Sequence, residues 1–284
     1  MKIFHTISEA RAACRESRVQ GKCLGLVPTM GALHEGHLSL IRAAKAQCGS
    51  VVVSIFVNPT QFGPNEDLSK YPRPFEHDRQ LLESEGVEML FAPSAEEMYP
   101  GGETTWVVVD GLSEKLDGRS RPGHFRGVAT VVAKLFNIIA PQCAFFGQKD
   151  AAQLAVIRHM VKDLSFPTQI VACPIIRETD GLAMSSRNVY LTPEDRRRAV
   201  VLRRSLQRVQ QDFHARQATS AQLVSAGKSV IASEPGVVLD YFEIVDPDTL
   251  DPVDRITQNA LVAVAAYLGT TRLIDNVLLV PETK

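Results

Sequence analysis

Alternation of apolar runs with helix-periodic segments through the first 175 residues or so constrains the fold more than any other feature of this chain. "LGLVP", "VVVSIFV", "MLFAP", "WVVVD", "CAFFG" and "QIVAC" read as strands, several of them apolar at successive positions as strands covered on both faces must be. Between them, residues 36–47, 74–85, 125–140 and 150–162 carry apolar side chains at helical spacing. This predicts an α/β fold, a Rossmann-like doubly wound parallel sheet whose ligands sit beyond the carboxyl ends of the strands. After Pro174 the pattern changes. Thr192 precedes Pro193 with Asp195 three residues beyond the cap, and Leu202, Leu206, Val209 and Phe213 continue one helix. "VVLDYFEIVD", "ALVAVAAYL" and "TRLIDNVLLV" then read as strands. The 284 residues exceed the roughly 250 at which single cores tend to split, so two domains are expected, 1–175 and a smaller α+β unit, 176–284.

Composition removes several classes of function. No apolar run approaches the ~20 residues of a membrane span, so no membrane association is expected. The opening "MKIFHTISEARAACRESR" turns polar after four residues and lacks the apolar region of a signal peptide, which predicts a cytoplasmic location. Cys14, Cys23, Cys48, Cys143 and Cys173 are odd in number, widely spaced and form no CxxC pair; they read as reduced packing residues. With 31 basic against 32 acidic side chains the net charge is -1, so nothing draws a polyanion from a distance and nucleic acid is a poor partner. Arg196, Arg197, Arg198, Arg203, Arg204 and Arg208 lack interleaved aromatics and read as a solvated helix face. "PNEDLSKYPRPFEHD" is polar and proline-rich and has the composition of a mobile loop around Tyr71.

Chemistry is concentrated in "LVPTMGALHEGHLSL", where His34 and His37 fall on the opening turn of a helix just beyond a buried strand. Residues three apart share a helix face, and a helix amino end carries free N–H groups and partial positive charge, which suit phosphate. Gly36 would let a ligand approach the backbone. Neither a P-loop lysine nor a GxGxxG follows, so a phosphate site needs a lysine from elsewhere. "FFGQKDAAQL" supplies Lys149 beyond a second strand, while Asp150 and Gln153 have capping-box spacing. "ETDGLAMSSRN" adds two hydroxyls and Arg187 in a glycine-containing loop suited to a polyphosphate.

Taken in order, "PTMGALHEGH", "NPTQFG", "YPR…D", "RPGHFRGV", "FFGQKDAAQ" and "RETDGLAMSSRN" closely resemble the pantothenate synthetase family, the pantoate and β-alanine ligases, from about residue 24 to 192. HEGH also resembles the HxGH signature of the wider nucleotidyltransferase superfamily, and MSSR lies where that superfamily has its KMSKS loop. The resemblance implies a homodimer that adenylates (R)-pantoate with ATP and Mg²⁺, releasing pyrophosphate, before β-alanine displaces AMP. It places Met30, Gly31, Ala32, Leu33, His34, Glu35, Gly36 and His37 along the ATP, together with Gly147, Gln148, Lys149, Asp150, Ile176, Met184, Ser185, Ser186 and Arg187. His37 is implied as a proton donor, with His34 and Lys149 beside it as catalytic groups. Gln61 and Gln153 are implied to bind pantoate, and Gln61 also β-alanine.

These residue types suit the reaction. Carboxylate attack on the α-phosphorus gathers charge on a centre flanked by phosphates, and preorganised donors that tighten on that state lower the barrier most. A neutral amide orients a carboxylate without quenching it as a nucleophile. Asp78, at the acidic position after YPR, is the expected Mg²⁺ ligand. His77 stands where an acid often accompanies it, and Ala152 where relatives often have a further glutamine. Two rivals remain at this stage: transfer of a nucleotidyl group to a phosphate-bearing acceptor, and an RNA-binding or nucleotide-sensing module without catalysis.

Overall fold

The computed structural model describes residues 1–64, 66–215 and 218–281. In chain order the elements are β1 (Lys2–Phe4), α1 (Ile7–Val19), β2 (Leu24–Thr29), α2 (Glu35–Gln47), β3 (Ser50–Ile55), α3 (Phe75–Ser84), β4 (Met89–Phe91) and α4 (Ala95–Met98). There follow α5 (Asp117–Ser120), α6 (His124–Ile139), β5 (Cys143–Gly147), α7 (Ala151–Asp163) and β6 (Gln169–Cys173). The carboxyl-terminal part holds α8 (Pro193–Arg198), α9 (Val201–Ala215), α10 (Ser220–Ala232), β7 (Val237–Val245), β8 (Ala260–Leu268) and β9 (Thr271–Leu279).

The first six strands form one sheet in the order β1-β4-β3-β2-β5-β6, and every pairing is parallel. Alternate side chains serve two cores. Leu24 and Leu26 face α1, α6 and α7, whereas Val27 faces α2 and α3, which is why the central strands read as continuously apolar. Strand order reverses between β2 and β5, so the crevice outside their carboxyl ends is where a doubly wound sheet binds its ligand. The segments leaving those two strands carry HEGH and GQKD.

Strands β7-β8-β9 form a separate antiparallel sheet. Its outer face packs on α9 and α10, and its inner face (Tyr241, Leu261, Ala263 and Ala265) joins the larger core beneath α6 and α7. Arg272 pairs with Asp117 and Asp240, and Arg177 makes a bidentate pair with the buried Asp275 at 2.7 and 2.9 Å. The small sheet is therefore docked through both apolar and charged contacts.

Several expectations need correction. "WVVVD" is not a strand: Val107 and Val109 pack on the core, and the Val107 N–H donates to Thr130 Oγ1 (3.0 Å). Edge strand β1 and helix α1 take shape in the polar opening segment instead. The helix begun at Thr192, whose hydroxyl does accept the Asp195 N–H, breaks at Ala199–Val200 before α9. The cysteines are all free thiols, yet Cys23, Cys48 and Cys143 come together. Residues 66–71, read as a mobile loop, are tied down: Glu66 pairs with Arg121, Asp67 with Arg187, and Tyr71 Oη meets Ser186 Oγ at 3.1 Å. Asn65 lies outside the described residues. Arg196, Arg198, Arg204 and Arg208 pair with nearby acids, as a solvated face does.

Candidate active site

His34 is the N-cap of α2 and folds back so that its Nδ1 accepts the Gly36 N–H at 3.1 Å. His37 returns the bond, its Nδ1 accepting the His34 N–H at 3.3 Å, so two imidazoles close a reciprocal capping box with ring centroids 4.1 Å apart. Gly36 makes this possible: a Cβ there would lie 2.8 Å from His34 Cε1 and 2.9 Å from Nδ1. The glycine thus accommodates the ring, where the sequence suggested a ligand approaching the backbone. The Gly36 and His34 N–H groups at this helix start are likewise not bare; they bond the imidazoles, and both rings line the cavity.

This geometry determines the protonation pattern. With Nδ1 accepting a backbone N–H in each ring, the neutral tautomer carries its proton on Nε2. Burial, then the Lys149 ammonium, pushes His34 down to about 4. Burial, then His34 and Lys149, pushes His37 down to about 3. Both are neutral Nε2–H donors near pH 7 rather than imidazolium acids.

Lys149 lies in the turn after β5 and lines the same cavity, where its charge disfavours protonation of His34 and His37. Asn276 of β9 fixes this turn, its Nδ2 donating to the carbonyls of Gln148 and Lys149 at 2.9 Å each. The capping box expected of Asp150 and Gln153 does not form: Asp150 makes no side-chain cap bond and stands 3.6 Å from Lys149 Nζ. Both side chains line the cavity. Ala152 is buried and packs in the core.

Gln61 enters from the turn Pro59–Gln61. Asn58 Nδ2 donates to both Gln61 Oε1 and Gly127 O at 3.1 Å, leaving the Gln61 amide nitrogen directed at Met30 Sδ (3.2 Å). His124, pushed down to about 4 by burial and then by Arg121, donates from Nδ1 to the Gln61 carbonyl (2.8 Å) and accepts from Arg121 at Nε2 (3.0 Å). Asn58, Arg121, His124 and Asn276 thus set the site's shape, although sequence reading assigned them no role. The motifs NPTQFG and RPGHFRGV held the signal for three of them; nothing in the sequence around Asn276 marked it.

The cavity is lined by Met30, His34, Gly36, His37, Gly147, Lys149, Asp150, Ile176 and Met184 through Arg187, with Gln61 and Gln153. Other expected nucleotide contacts stand apart from it. Leu33 is buried in the core behind α2, Glu35 is exposed and pairs with Arg42, and the Gln148 amide faces Asn276 (3.4 Å). Gly31 and Ala32 shape the loop through positive φ, 83° and 50°. Arg187 lines the cavity but is held bidentately by Asp67, 2.9 Å at each contact, so a polyphosphate reaching it must exchange with that carboxylate.

Asp78 does not fit a metal ligand. Both of its oxygens accept backbone N–H groups, Oδ2 from Ala32 and Oδ1 from Leu33, at 2.8 Å each, and the residue is 1% exposed. Burial holds its carboxyl above the usual range despite these bonds. Its work is to anchor the loop between β2 and α2. Among the described residues no helix is long and apolar enough to cross a membrane.

The profile of the Pantoate-beta-alanine ligase family matches residues 2–278. A pantothenate synthetase of Koribacter versatilis (strain Ellin345) is 61% identical over 279 residues, 98% of this chain and 96% of the relative. The crystal structure of pantothenate synthetase from Thermus thermophilus superposes with a TM-score of 0.93 at 47% identity, covering 98% of this chain and 99% of that one. A pantoate-beta-alanine ligase from Francisella tularensis, complexed with beta-gamma ATP and beta-alanine, gives a TM-score of 0.80 at 38% identity over 98% of this chain and 97% of that one. With its switch-point crevice, its paired histidines and this similarity along nearly its whole length, the chain belongs to the pantoate-beta-alanine ligase family.

Proposed function

We propose that this chain condenses (R)-pantoate with β-alanine at the expense of ATP, through a pantoyl adenylate, yielding pantothenate, AMP and pyrophosphate. The observation that carries this reading is the sharing of one cavity by two neutral Nε2–H imidazoles, the Lys149 ammonium and the amides of Gln61 and Gln153. The first three suit a triphosphate, and the amides suit a hydroxy acid whose carboxylate must stay nucleophilic.

In the first step the pantoate carboxylate attacks the α-phosphorus and pyrophosphate departs. His34, His37 and Lys149 donate to the phosphate oxygens as charge builds; the bonds of both imidazoles at the α2 start mean they need little reorganisation, and Asn276 holds the backbone turn that carries Lys149. His37, neutral near pH 7, acts as a hydrogen-bond donor rather than an acid. Arg187 joins on release from Asp67, and Ser185 and Ser186 complete the phosphate side. Gln61, its carbonyl oxygen held by Asn58, offers its N–H₂ to pantoate and then to β-alanine.

In the second step the neutral amine of β-alanine attacks the acyl carbon and AMP leaves. Magnesium would arrive with the nucleotide phosphates; Asp150, partly exposed and without a cap bond, would meet it in exchange for its 3.6 Å contact with Lys149, in place of Asp78. We further assign 176–284 as a carboxyl-terminal lid domain on a nucleotide- and pantoate-binding domain, 1–175, in a cytoplasmic homodimer. Omitting each substrate in turn from an AMP-release assay tests the reaction. Release that requires ATP, pantoate and β-alanine together supports it, and AMP release without pantoate contradicts it.

A further inference from the structure

At the amino ends of the central strands of the parallel sheet, away from the ligase cavity, three thiols converge. Cys23 immediately precedes β2, Cys48 caps the end of α2, and Cys143 opens β5, so the sulfurs come from segments that begin neighbouring strands. Sγ of Cys23 and Cys48 are 3.6 Å apart, and all three sulfurs lie within 4.8 Å of one another. Their meeting point is built into the sheet. Cys23 lies two residues before Gly25 on the same strand face, Cys143 pairs with Gly25 in register, and Cys48 fills the space above. A Cβ at Gly25 would sit 3.0 Å from Cys48 Sγ and 3.2 Å from Cys48 Cβ, so the glycine makes room for that side chain.

We propose that Cys23, Cys48 and Cys143 form a three-coordinate thiolate site for a soft monovalent cation, copper(I). Metal–sulfur bonds of about 2.3 Å in a trigonal arrangement separate the sulfurs by about 4 Å, a spacing that requires only small shifts here. Thiolate-only coordination selects soft ions. Zinc usually takes four ligands in structural sites, and among the described residues no histidine, carboxylate or further cysteine completes the set. Beside the cluster the Gln169 amide oxygen lies 3.8 Å from Cys143 Sγ.

Binding displaces thiol protons to solvent and moves no electrons between protein and metal. With all three sulfurs within 4.8 Å of one another, a thiolate on any of them would crowd its neighbours. A cation relieves that crowding, whereas disulfide formation needs a free thiolate to attack. The six residues of β2 separate this cluster from the ligase cavity by roughly 20 Å at about 3.3 Å per residue. The bound ion clasps the amino ends of the strands and takes no part in the condensation.

The test is anaerobic titration of the reduced, intact protein with copper(I) against a competing chelator, with stoichiometry from native mass spectrometry. One ion per chain is expected. Cys48→Ser and Cys143→Ser should each weaken binding by roughly a hundredfold or more, beyond what loss of an outer partner does. Cys173→Ser, outside the cluster, should leave it unchanged, and circular dichroism together with substrate-dependent pyrophosphate release confirms that each variant is folded. Lack of uptake by the parent, equal uptake by the cluster variants, or a Cys23–Cys48 disulfide forming in place of metal binding would overturn the assignment.

Discussion

Gly127 of α6 offers a direct way to move one substrate-orienting group without touching it. A Cβ at this position would lie 2.4 Å from Thr60 O, 2.5 Å from Thr60 C and 2.6 Å from Gln61 N. All three are backbone atoms, so no flexible tip can swing aside. Restoring ordinary contact requires the Pro59–Gln61 turn and α6 to part by about 1 Å. Gln61 moves with that turn because Asn58, which orients its amide, also bonds the Gly127 carbonyl, and His124 bonds the Gln61 carbonyl. A misplacement of about 1 Å costs about 10²-fold in rate, or about 2.7 kcal/mol, and the overpacking costs about 1–3 kcal/mol of stability. Gly127→Ala should therefore lower kcat/KM for pantoate about a hundredfold in a pyrophosphate-release assay at saturating ATP. Affinity for a non-hydrolysable ATP analogue should fall far less, because His34 and His37 are fixed by bonds within α2 and the Lys149 turn by Asn276, none of which involves the Pro59–Gln61 turn. A folded variant with kcat/KM for pantoate within about threefold of the parent would refute the positioning argument.

Replacing either phosphate-side donor should be costlier to turnover than to folding. His37→Ala or Lys149→Ala should each lower kcat by at least about 10²-fold with an unchanged circular dichroism spectrum. Protons should act on stability in a defined direction. His34, His37 and His124 have native values of about 4, 3 and 4, below the unfolded value of about 6.5, so between these limits the unfolded chain binds more protons. Their contribution is present above about pH 6.5 and is lost as pH falls toward the native values; denaturant melts of His37→Gln should show a shallower loss between pH 7 and 4.5 than the parent. Asp78→Asn should cost about 1–3 kcal/mol in denaturant melts through its mismatched backbone donors, while the magnesium dependence of turnover stays that of the parent.

Much of the architecture was legible because parallel strands covered on both faces leave long apolar runs, and the helices between them keep their period. "WVVVD" misled because apolar residues flanked by polar ones can pack on a core without pairing, as Val107 and Val109 do. β1 escaped notice because a three-residue edge strand carries too short a pattern. In the site, HEGH and GQKD followed strands that proved adjacent at the sheet's switch point, so their meeting could be read from order and motif alone. The orientation of each imidazole could not, since it depends on which backbone N–H its Nδ1 accepts. Asp78 looked like a metal ligand by residue type and turned out to be a loop anchor, a distinction made only by the two N–H groups that face it. The meeting of Cys23, Cys48 and Cys143 likewise depends on strand register across the middle of the sheet, which spacing in the sequence does not reveal.

The most direct test of the central claim is a crystal structure with a non-hydrolysable ATP analogue and pantoate. Nε2 of His34 and His37 and Nζ of Lys149 should each lie within about 3 Å of a phosphate oxygen, with both Nδ1 atoms still on the α2 backbone. A triphosphate bound elsewhere, or imidazoles turned away from it with the capping box broken, would contradict the account.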